Sequence, residues 1–177
     1  RMIGKAWPDY GDHPEQALAL AEALGRLLDR IHTEGLDIKN LPDLVDREKF
    51  AAHWQITLDF LTIIAQVWPD YLAETGAIDA ADRRNRLLHL LADHWQAYPP
   101  SGPVYAAGST GSIPATARLL GVIARLPQGA VILPGLDPDT DAKSWEALDD
   151  THPQATLKTL LHSLGMDRKD VRRWGAL

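Results

Sequence analysis

The chain has 177 residues, a length typical of one domain, and 45% of them are apolar, which is enough to form a buried core. Its net charge of −6 argues against a surface built to hold polyanions, because affinity for DNA depends on Lys and Arg that neutralise phosphates. Cysteine is absent, and this excludes disulfides, thiolate metal sites and a cysteine nucleophile.

The first hundred residues have the periodicity of helices. Apolar residues recur at helical spacing from Pro14 to His32, and Gly35 is expected to end this helix. A second helix is predicted over about Arg47–Val67, with an apolar stripe that includes Trp54 and is broad enough for burial between two neighbours. A short continuation after Pro69 is expected to end at Gly76.

A third helix is predicted to begin after an N-cap at Asp79 and to run to about Tyr98. The side chains expected to face the core of the helical half are Leu87, Leu88, Leu91 and Trp95. Three long helices with short connections suggest an antiparallel bundle. The segment 98–103, YPPSGP, is expected to form a stiff hinge after it.

The stretch Val104–Asp137 has the pattern of a strand, a loop, a helix and a second strand. VYAA and AVIL are short apolar runs, PQG is a turn, and the helical segment between them has apolar residues on one face, namely Leu119, Leu120, Ile123 and Leu126. Two strands joined through a helix indicate a parallel pair. Because ligands of such sheets bind beyond the carboxyl ends of the strands, any site is expected in Gly108–Ile113 and Pro134–Asp141.

Two further helices are predicted downstream. Pro153–Leu164 is amphipathic and is expected to end at Gly165, and Asp167 is expected to cap a last helix that ends near Trp174. The predicted fold class is therefore α/β, with a helical subdomain over residues 1–100 and an α/β subdomain with C-terminal helices over residues 101–177.

The candidate ligand-facing loop consists of Gly108, Ser109, Thr110, Gly111 and Ser112. A helix N-terminus that follows glycines and hydroxyls could bind an anion, but the lysine of a P-loop and the glycine fingerprint of a dinucleotide site are both missing. The favoured interpretation is structural: Ser112 caps the helix, Pro114 lies in its first turn, and the glycines allow a sharp turn. Anion or nucleotide binding by this loop remains the alternative.

Asp137 is the candidate acid at the end of the second strand, but no second acid completes a magnesium site there. The acids of Asp137–Asp141 resemble the opening of a calcium loop, and the match fails because Ala142 and Leu148 replace the required glycine and glutamate. We expect solvated acids, some of which cap a helix near Ser144–Leu148.

Other signals for chemistry are weak. The histidines are scattered and form no zinc-binding pattern, so no metal site and no catalytic residue is predicted. The basic clusters are Arg83, Arg84 and Arg86, and near the C-terminus Arg168, Lys169, Arg172 and Arg173. Solvated helix faces are favoured over nucleic-acid contacts for both, which leaves the first cluster as a weak candidate for DNA contact.

Several long strings resemble one protein family. AAGSTGSIPATARLL, ARLPQGAVILPGLD and HPQATLKTLLHSLGMDRKDVRRW are similar to the AddB subunit of bacterial AddAB-type helicase–nucleases in its alphaproteobacterial form. AddB proteins are much longer, so the resemblance implies an internal piece of the helicase-like N-terminal half. It implies a fold like part of a superfamily-1 helicase motor domain.

The resemblance also implies a role for the parent protein in DNA double-strand break repair by homologous recombination. The parent would act on DNA with an AddA-type partner subunit, and ATP and Mg²⁺ would serve the parent complex rather than this piece. The expectation is a non-catalytic structural part without a cofactor of its own. The sequence lacks a signal peptide and an apolar run long enough to span a bilayer, and a cytoplasmic, membrane-free setting is expected.

Overall fold

The computed structural model describes residues 13–37 and 63–174. Contacts divide the chain into two compact units, residues 1–84 and 85–177, and each unit is described by itself. The hinge predicted at residues 98–103 lies inside the second unit. Most of the helix predicted over Arg47–Val67, including Trp54, lies outside the described residues.

Helix α1 of the first unit spans Pro14–Glu34. Proline suits the first helical position because an N–H there has no partner within the helix. The helix ends at Gly35 with φ 66°, and the N–H of Leu36 bonds to the carbonyl of Ile31. The side chains buried along one face are Leu24, Leu28 and Ile31. Both the amphipathic helix and its glycine stop, as predicted, are confirmed.

A π-helical turn, Ile63–Val67, leads directly into helix α2, Trp68–Thr75. Pro69 offers a physical reason for the widened turn, because proline has no N–H and its ring crowds the carbonyl four residues earlier in a regular α-helix. Helix α2 ends at Gly76, where φ is 62°. The predicted continuation that stops at this glycine is confirmed.

Asp79 joins three parts of the first unit. Its carboxylate accepts hydrogen bonds from the indole N–H of Trp68 at 3.0 and 3.2 Å, and it lies 3.0 Å from Nε2 of His32. Helix α3, Ala80–Ala97, begins immediately after Asp79. Arg84 of α3 also donates to the hydroxyl of Thr33 at 3.0 Å. Side chains of α1 and α2 are thereby tied to the start of α3.

Helix α3 buries a different stripe from the one predicted. The residues turned away from solvent recur at spacings of three and four: Ala81, Asn85, Leu88, Ala92 and Trp95. Leu87 was predicted to face inward, but it is 54% exposed, so this part of the prediction is wrong. Leu88, Leu91 and Trp95 are half-buried. The small residues Ala81 and Ala92 are buried, because they allow close approach of the helix backbone.

The second unit contains the predicted parallel pair. Strand β1 spans Val104–Ala107, helix α4 spans Pro114–Ile123, and strand β2 spans Gly129–Ile132. The strands pair in parallel, with Val104 opposite Gly129 and Ala107 opposite Ile132. The described part of the chain therefore has an α/β fold, with six α-helices and a small two-stranded sheet, as the coarse prediction stated.

Two more helices complete the second unit: α5, Ala142–Glu146, and α6, Ala155–Leu164. All the leucines of α6 are buried, namely Leu157, Leu160, Leu161 and Leu164. Helix α6 ends at Gly165, as predicted. The last predicted helix is only a 3₁₀ turn, Arg168–Asp170, which begins with a capping box between Asp167 and Asp170 and ends at the extended Val171, well before Trp174.

The core of the second unit lies between helices and sheet. Leu120 of α4 packs with Leu160 and Leu164 of α6, and the side chains of β1 and β2 that pack against this cluster include Ala106 and Val131. The two helices approach closely at Gly121, where an added Cβ would lie 2.8 Å from Cδ2 of Leu164. A larger residue at this crossing would force the side chain of Leu164 to shift.

Arg125 fastens the ends of the same two helices. Its guanidinium donates to the carbonyl of Gly121 in α4 at 2.8 Å and to the carbonyl of Leu164 in α6 at 2.7 Å. Carbonyls in the last turn of a helix have no partner within the helix, and the helix dipole makes that end negative. One cation thus neutralises two helix C-termini.

Candidate functional site

The parallel sheet brings the two predicted ligand-facing segments to one edge. Loop 108–113 follows the carboxyl end of β1, and segment 134–141 follows the carboxyl end of β2. This is the position at which α/β proteins bind ligands. The structure therefore places Asp137 at the same edge as the glycine-rich loop, as the sequence predicted.

The glycine-rich loop is folded against helix α6. Gly108 and Gly111 have φ values of 79° and 64°, which other residues rarely adopt. A Cβ on Gly111 would lie 2.6 Å from Cδ1 of Leu160, so the backbone touches the core side chain directly. The hydroxyl of Ser109 accepts a hydrogen bond from the N–H of Gly111 at 3.2 Å. These contacts hold the loop in a tight, internally bonded turn.

The start of α4 differs from the prediction in one respect. The N-cap is Ile113 rather than Ser112, and no side chain caps the helix. Pro114 occupies the first turn, as predicted, and it forces the residue before it into an extended conformation, here with φ −90° and ψ 123°. The helix boundary therefore falls at Ile113, and the exposed Ser112 lies one residue too early to act as the N-cap.

The acids after β2 are used to shape their own segment. Asp137 accepts hydrogen bonds from the hydroxyl of Thr140 at 2.6 Å and from the N–H of Asp139 at 2.8 Å. The bond from the Thr140 side chain is the main cause that lowers the pKa of Asp137. Asp141 caps α5 by accepting from the N–H of Ser144 at 3.0 Å. The prediction of exposed acids with a capping role is confirmed.

Two side chains from other elements hold this acidic segment in place. Gln154 donates to the carbonyl of Gly135 at 2.8 Å and accepts from the N–H of Asp137 at 3.0 Å. Arg168 donates to the carbonyls of Asp137 and Thr140, and its guanidinium lies 4.7 Å from the ring centroid of the buried Trp145. We name this arrangement the Arg168 clamp.

The Arg168 clamp was not predicted. Arg168 and Arg173 belong to the C-terminal basic cluster that was expected to be solvated. Arg168 is in fact half-buried, and Arg173 forms an exposed ion pair with Asp139 at 3.2 Å. The signal that could have found these contacts is the opposite charge of segments 137–141 and 167–173.

The edge of the sheet has limited means for chemistry. Among the described residues, no group of three His, Cys, Asp or Glu side chains could hold a metal ion. The first turn of α4 offers backbone N–H groups at Ala115 and Thr116, and Pro114 has none. An anion could be bound there by backbone donors and hydroxyls, as the alternative hypothesis requires.

A groove of about 580 Å³ lies beside α4 in the second unit. It is lined in part by Trp95, Pro99, Pro114 and the side chains of Arg118 and Arg125. Arg118 forms an ion pair with Asp93 and Arg125 binds the two helix ends, so both guanidinium groups are engaged within the protein. This groove was not predicted from the sequence.

The predicted basic cluster lies on α3. Arg83, Arg84 and Arg86 are exposed, and Arg84 donates to Thr33 as described above. A role of these arginines in binding DNA stays a prediction.

Comparison of the chain with protein-family models, with curated proteins and with solved structures gave no match. None of the helices in the described ranges is both long and apolar enough to cross a membrane. The resemblance to AddB therefore stays a prediction made from the sequence strings, and the function that it implies is a proposal.

Proposed function

We propose that this chain is a structural, non-catalytic part of the helicase-like region of an AddB-type subunit, which processes DNA ends for recombinational repair. The similarity of three long strings in the same order supports the family. The parallel strand, helix and strand of the second unit agree with a motor-domain-like fold. In this proposal the parent complex includes an AddA-type partner subunit, acts on DNA, and uses ATP and Mg²⁺.

The observation that carries the non-catalytic role is the internal use of polar groups at the edge of the sheet. Ser109 bonds to Gly111 of its own loop, and the carboxylate of Asp137 is occupied by Asp139 and Thr140. These bonds fix the orientation of the two side chains and use part of their bonding capacity, so a ligand would have to compete with them. The loops therefore have the character of rigid supports.

Enzyme assays on the purified chain test this role. We expect no Mg²⁺-dependent ATP hydrolysis and no cleavage of DNA, because a P-loop lysine is missing from the loop after β1. ATPase activity that disappears in a Ser109→Ala/Thr110→Ala double variant would overturn the proposal. The same experiment should include a thermal melt with ATP, since a rise of the midpoint by mass action would favour the nucleotide-binding alternative.

A binding assay tests the proposed setting. An immobilised AddA-type subunit should retain the chain at concentrations at which it does not retain a heat-unfolded sample. For DNA we expect affinity of about 10⁻⁴ M or weaker at physiological salt, the non-specific range, because the chain is acidic. Micromolar affinity that is abolished when Arg83, Arg84 and Arg86 are changed to Glu would show a DNA-contacting surface on α3 instead.

A further inference from the structure

The groove beside α4 is formed by three helices of the second unit. Its walls come from the C-terminal end of α3 with Pro99, from one face of α4 with the turn that follows it, and from the end of α6. The part of the chain that lines it, residues 95–164, is described without a gap. Its volume of about 580 Å³ lies within the range of roughly 300–1,000 Å³ that is typical of small-molecule sites.

The lining of the groove combines apolar surface with hydrogen-bond donors. Apolar surface comes from the half-buried ring of Trp95 and from Pro99, Val122 and Pro127. The indole N–H of Trp95 has no hydrogen-bond partner among the residues that the structure describes. None of the described residues that line the groove is Asp or Glu. This composition suits a ligand with an apolar body and an acceptor group that carries negative charge.

The two guanidinium groups of the groove differ in how their charge is balanced. Arg118 is paired with the carboxylate of Asp93. Arg125 bonds to the carbonyls of Gly121 and Leu164, and within the described ranges no acid pairs with it. Those helix ends carry only partial charges, so the groove keeps one formal positive charge. The two bonds use two of the five N–H donors of Arg125, which leaves three for another acceptor.

We propose that this groove binds a small aromatic monocarboxylate. The carboxylate accepts hydrogen bonds from the remaining N–H donors of Arg125, and bonds between two charged groups are the stronger kind. The ring of the ligand lies against the apolar lining that includes the indole of Trp95. The charge balance sets the number of acidic groups. Because Asp93 already neutralises Arg118, one cation remains for one carboxylate, and a second carboxylate would be repelled by Asp93.

Titration of the full chain with 2-naphthoate, followed by heteronuclear NMR, tests the proposal. Chemical-shift changes should concentrate at the indole N–H of Trp95 and at the amides of residues 117–127. We expect a dissociation constant of about 1 mM or tighter for a ligand of this size. The neutral analogue 2-naphthamide has the same rings without the charge, and it should bind about tenfold more weakly.

Two matched substitutions separate the proposed anchor from a general effect of charge. Arg125→Gln removes the unbalanced cation and should weaken the binding of 2-naphthoate about tenfold or more. Arg172→Gln removes an exposed arginine of the same unit that does not line the groove, and it should leave the affinity unchanged. Because Arg125 also bonds to two helix ends, urea unfolding should show that its variant is folded under the conditions of the titration.

Asp93→Asn tests the charge balance without touching Arg125. The side chain of Asp93 is 58% exposed, and its change leaves Arg118 without an acid. The affinity for naphthalene-2,6-dicarboxylate should then rise about threefold or more relative to that for 2-naphthoate. An absence of shifts in the groove overturns the proposal, as does equal binding of 2-naphthoate and 2-naphthamide. Equal loss in Arg125→Gln and Arg172→Gln, or an unchanged preference in Asp93→Asn, also overturns it.

Discussion

In residues 13–37 and 63–174, the two compact units differ in the contacts that join their elements. In the described part of the first unit, polar links between elements are formed by the carboxylate of Asp79, with Trp68 and His32 as partners, and by Arg84, which donates to Thr33. In the second unit, leucines of α4 and α6 pack against the sheet. Apolar packing is non-directional and spreads over many atoms, whereas a polar network depends on each partner. The stability of the first unit should therefore respond strongly to a change at Asp79, whereas the stability of the second unit should depend on many packed side chains.

The largest effect is expected from Leu160→Ala in the second unit. Leu160 is 1% exposed and also contacts the backbone of Gly111. Its truncation should lower the free energy of unfolding by about 2–5 kcal/mol, through lost burial and the cavity that remains. Urea unfolding, followed by amide exchange in α4 and α6, measures the loss. Leu90→Ala, at a leucine that is 64% exposed, should change stability by only about 0.5 kcal/mol.

A smaller but localised loss is expected from Asp79→Ala in the first unit. The change removes the acceptor of the Trp68 indole N–H and the partner of His32, at a side chain that is only 17% exposed. Leaving such a donor unsatisfied costs about 1–3 kcal/mol. Amide exchange should accelerate in α1 and α2 while α6 stays protected. Glu74→Gln on the exposed surface of α2 is the control, and equal effects of the two variants would contradict the convergence on Asp79.

Arg168→Ala should reveal a smaller, polar contribution to the stability of the second unit. The change removes two hydrogen bonds to main-chain carbonyls and the stacking over Trp145, for a cost of about 1–2 kcal/mol. Amides of segment 135–141 should lose protection. Arg172→Ala removes a neighbouring exposed arginine, and it should leave this segment unchanged. Equal loss in both variants would indicate a general effect of charge rather than the Arg168 clamp.

The smallest effect on stability is expected when the pH is lowered. Hydrogen bonds from Thr140, Ser144 and Thr151 respectively lower the pKa values of Asp137, Asp141 and Asp149 in the folded state. Their contribution to stability is complete above the unfolded pKa of about 3.9 and is lost as the pH falls through the lower folded values. The second unit should therefore weaken below about pH 4.

Asp141→Asn separates charge from capping, because asparagine caps helices about as well as aspartate. Urea unfolding of this variant should match that of the natural chain near pH 6 and should depend less on pH below 4. If the stability of the variant fell with pH as steeply as that of the natural chain, Asp141 would not contribute to the loss of stability in acid.

Regular periodicity made most of the fold predictable. The helix Pro14–Glu34, the leucine face of α6 and the parallel pair were all predicted because apolar spacing and glycine stops act locally. The buried face of α3 was not predicted correctly. Leu87 and its neighbours form several apolar faces, and tertiary contacts decide which of them is buried. The N-cap of α4 was also predicted wrongly. Pro114, rather than the hydroxyl of Ser112, determines where α4 begins.

The position of the candidate site could be predicted, whereas its bonding could not. Strand order alone places loop 108–113 and Asp137 at one edge. The Arg168 clamp joins residues about thirty positions apart, and nothing in the local sequence pairs Arg168 with the carbonyls of Asp137 and Thr140. Backbone acceptors have no sequence signature, because every residue carries one.

The shared cation at the ends of α4 and α6 has a dynamic consequence. Helix ends normally fray independently, but Arg125 binds Gly121 in one helix and Leu164 in the other. Opening of either terminal turn removes one anchor of the guanidinium and so loosens its hold on the other. The last turns of α4 and α6, which are distant in sequence, should therefore open as one cooperative unit. The two helices that cover the sheet should then move together.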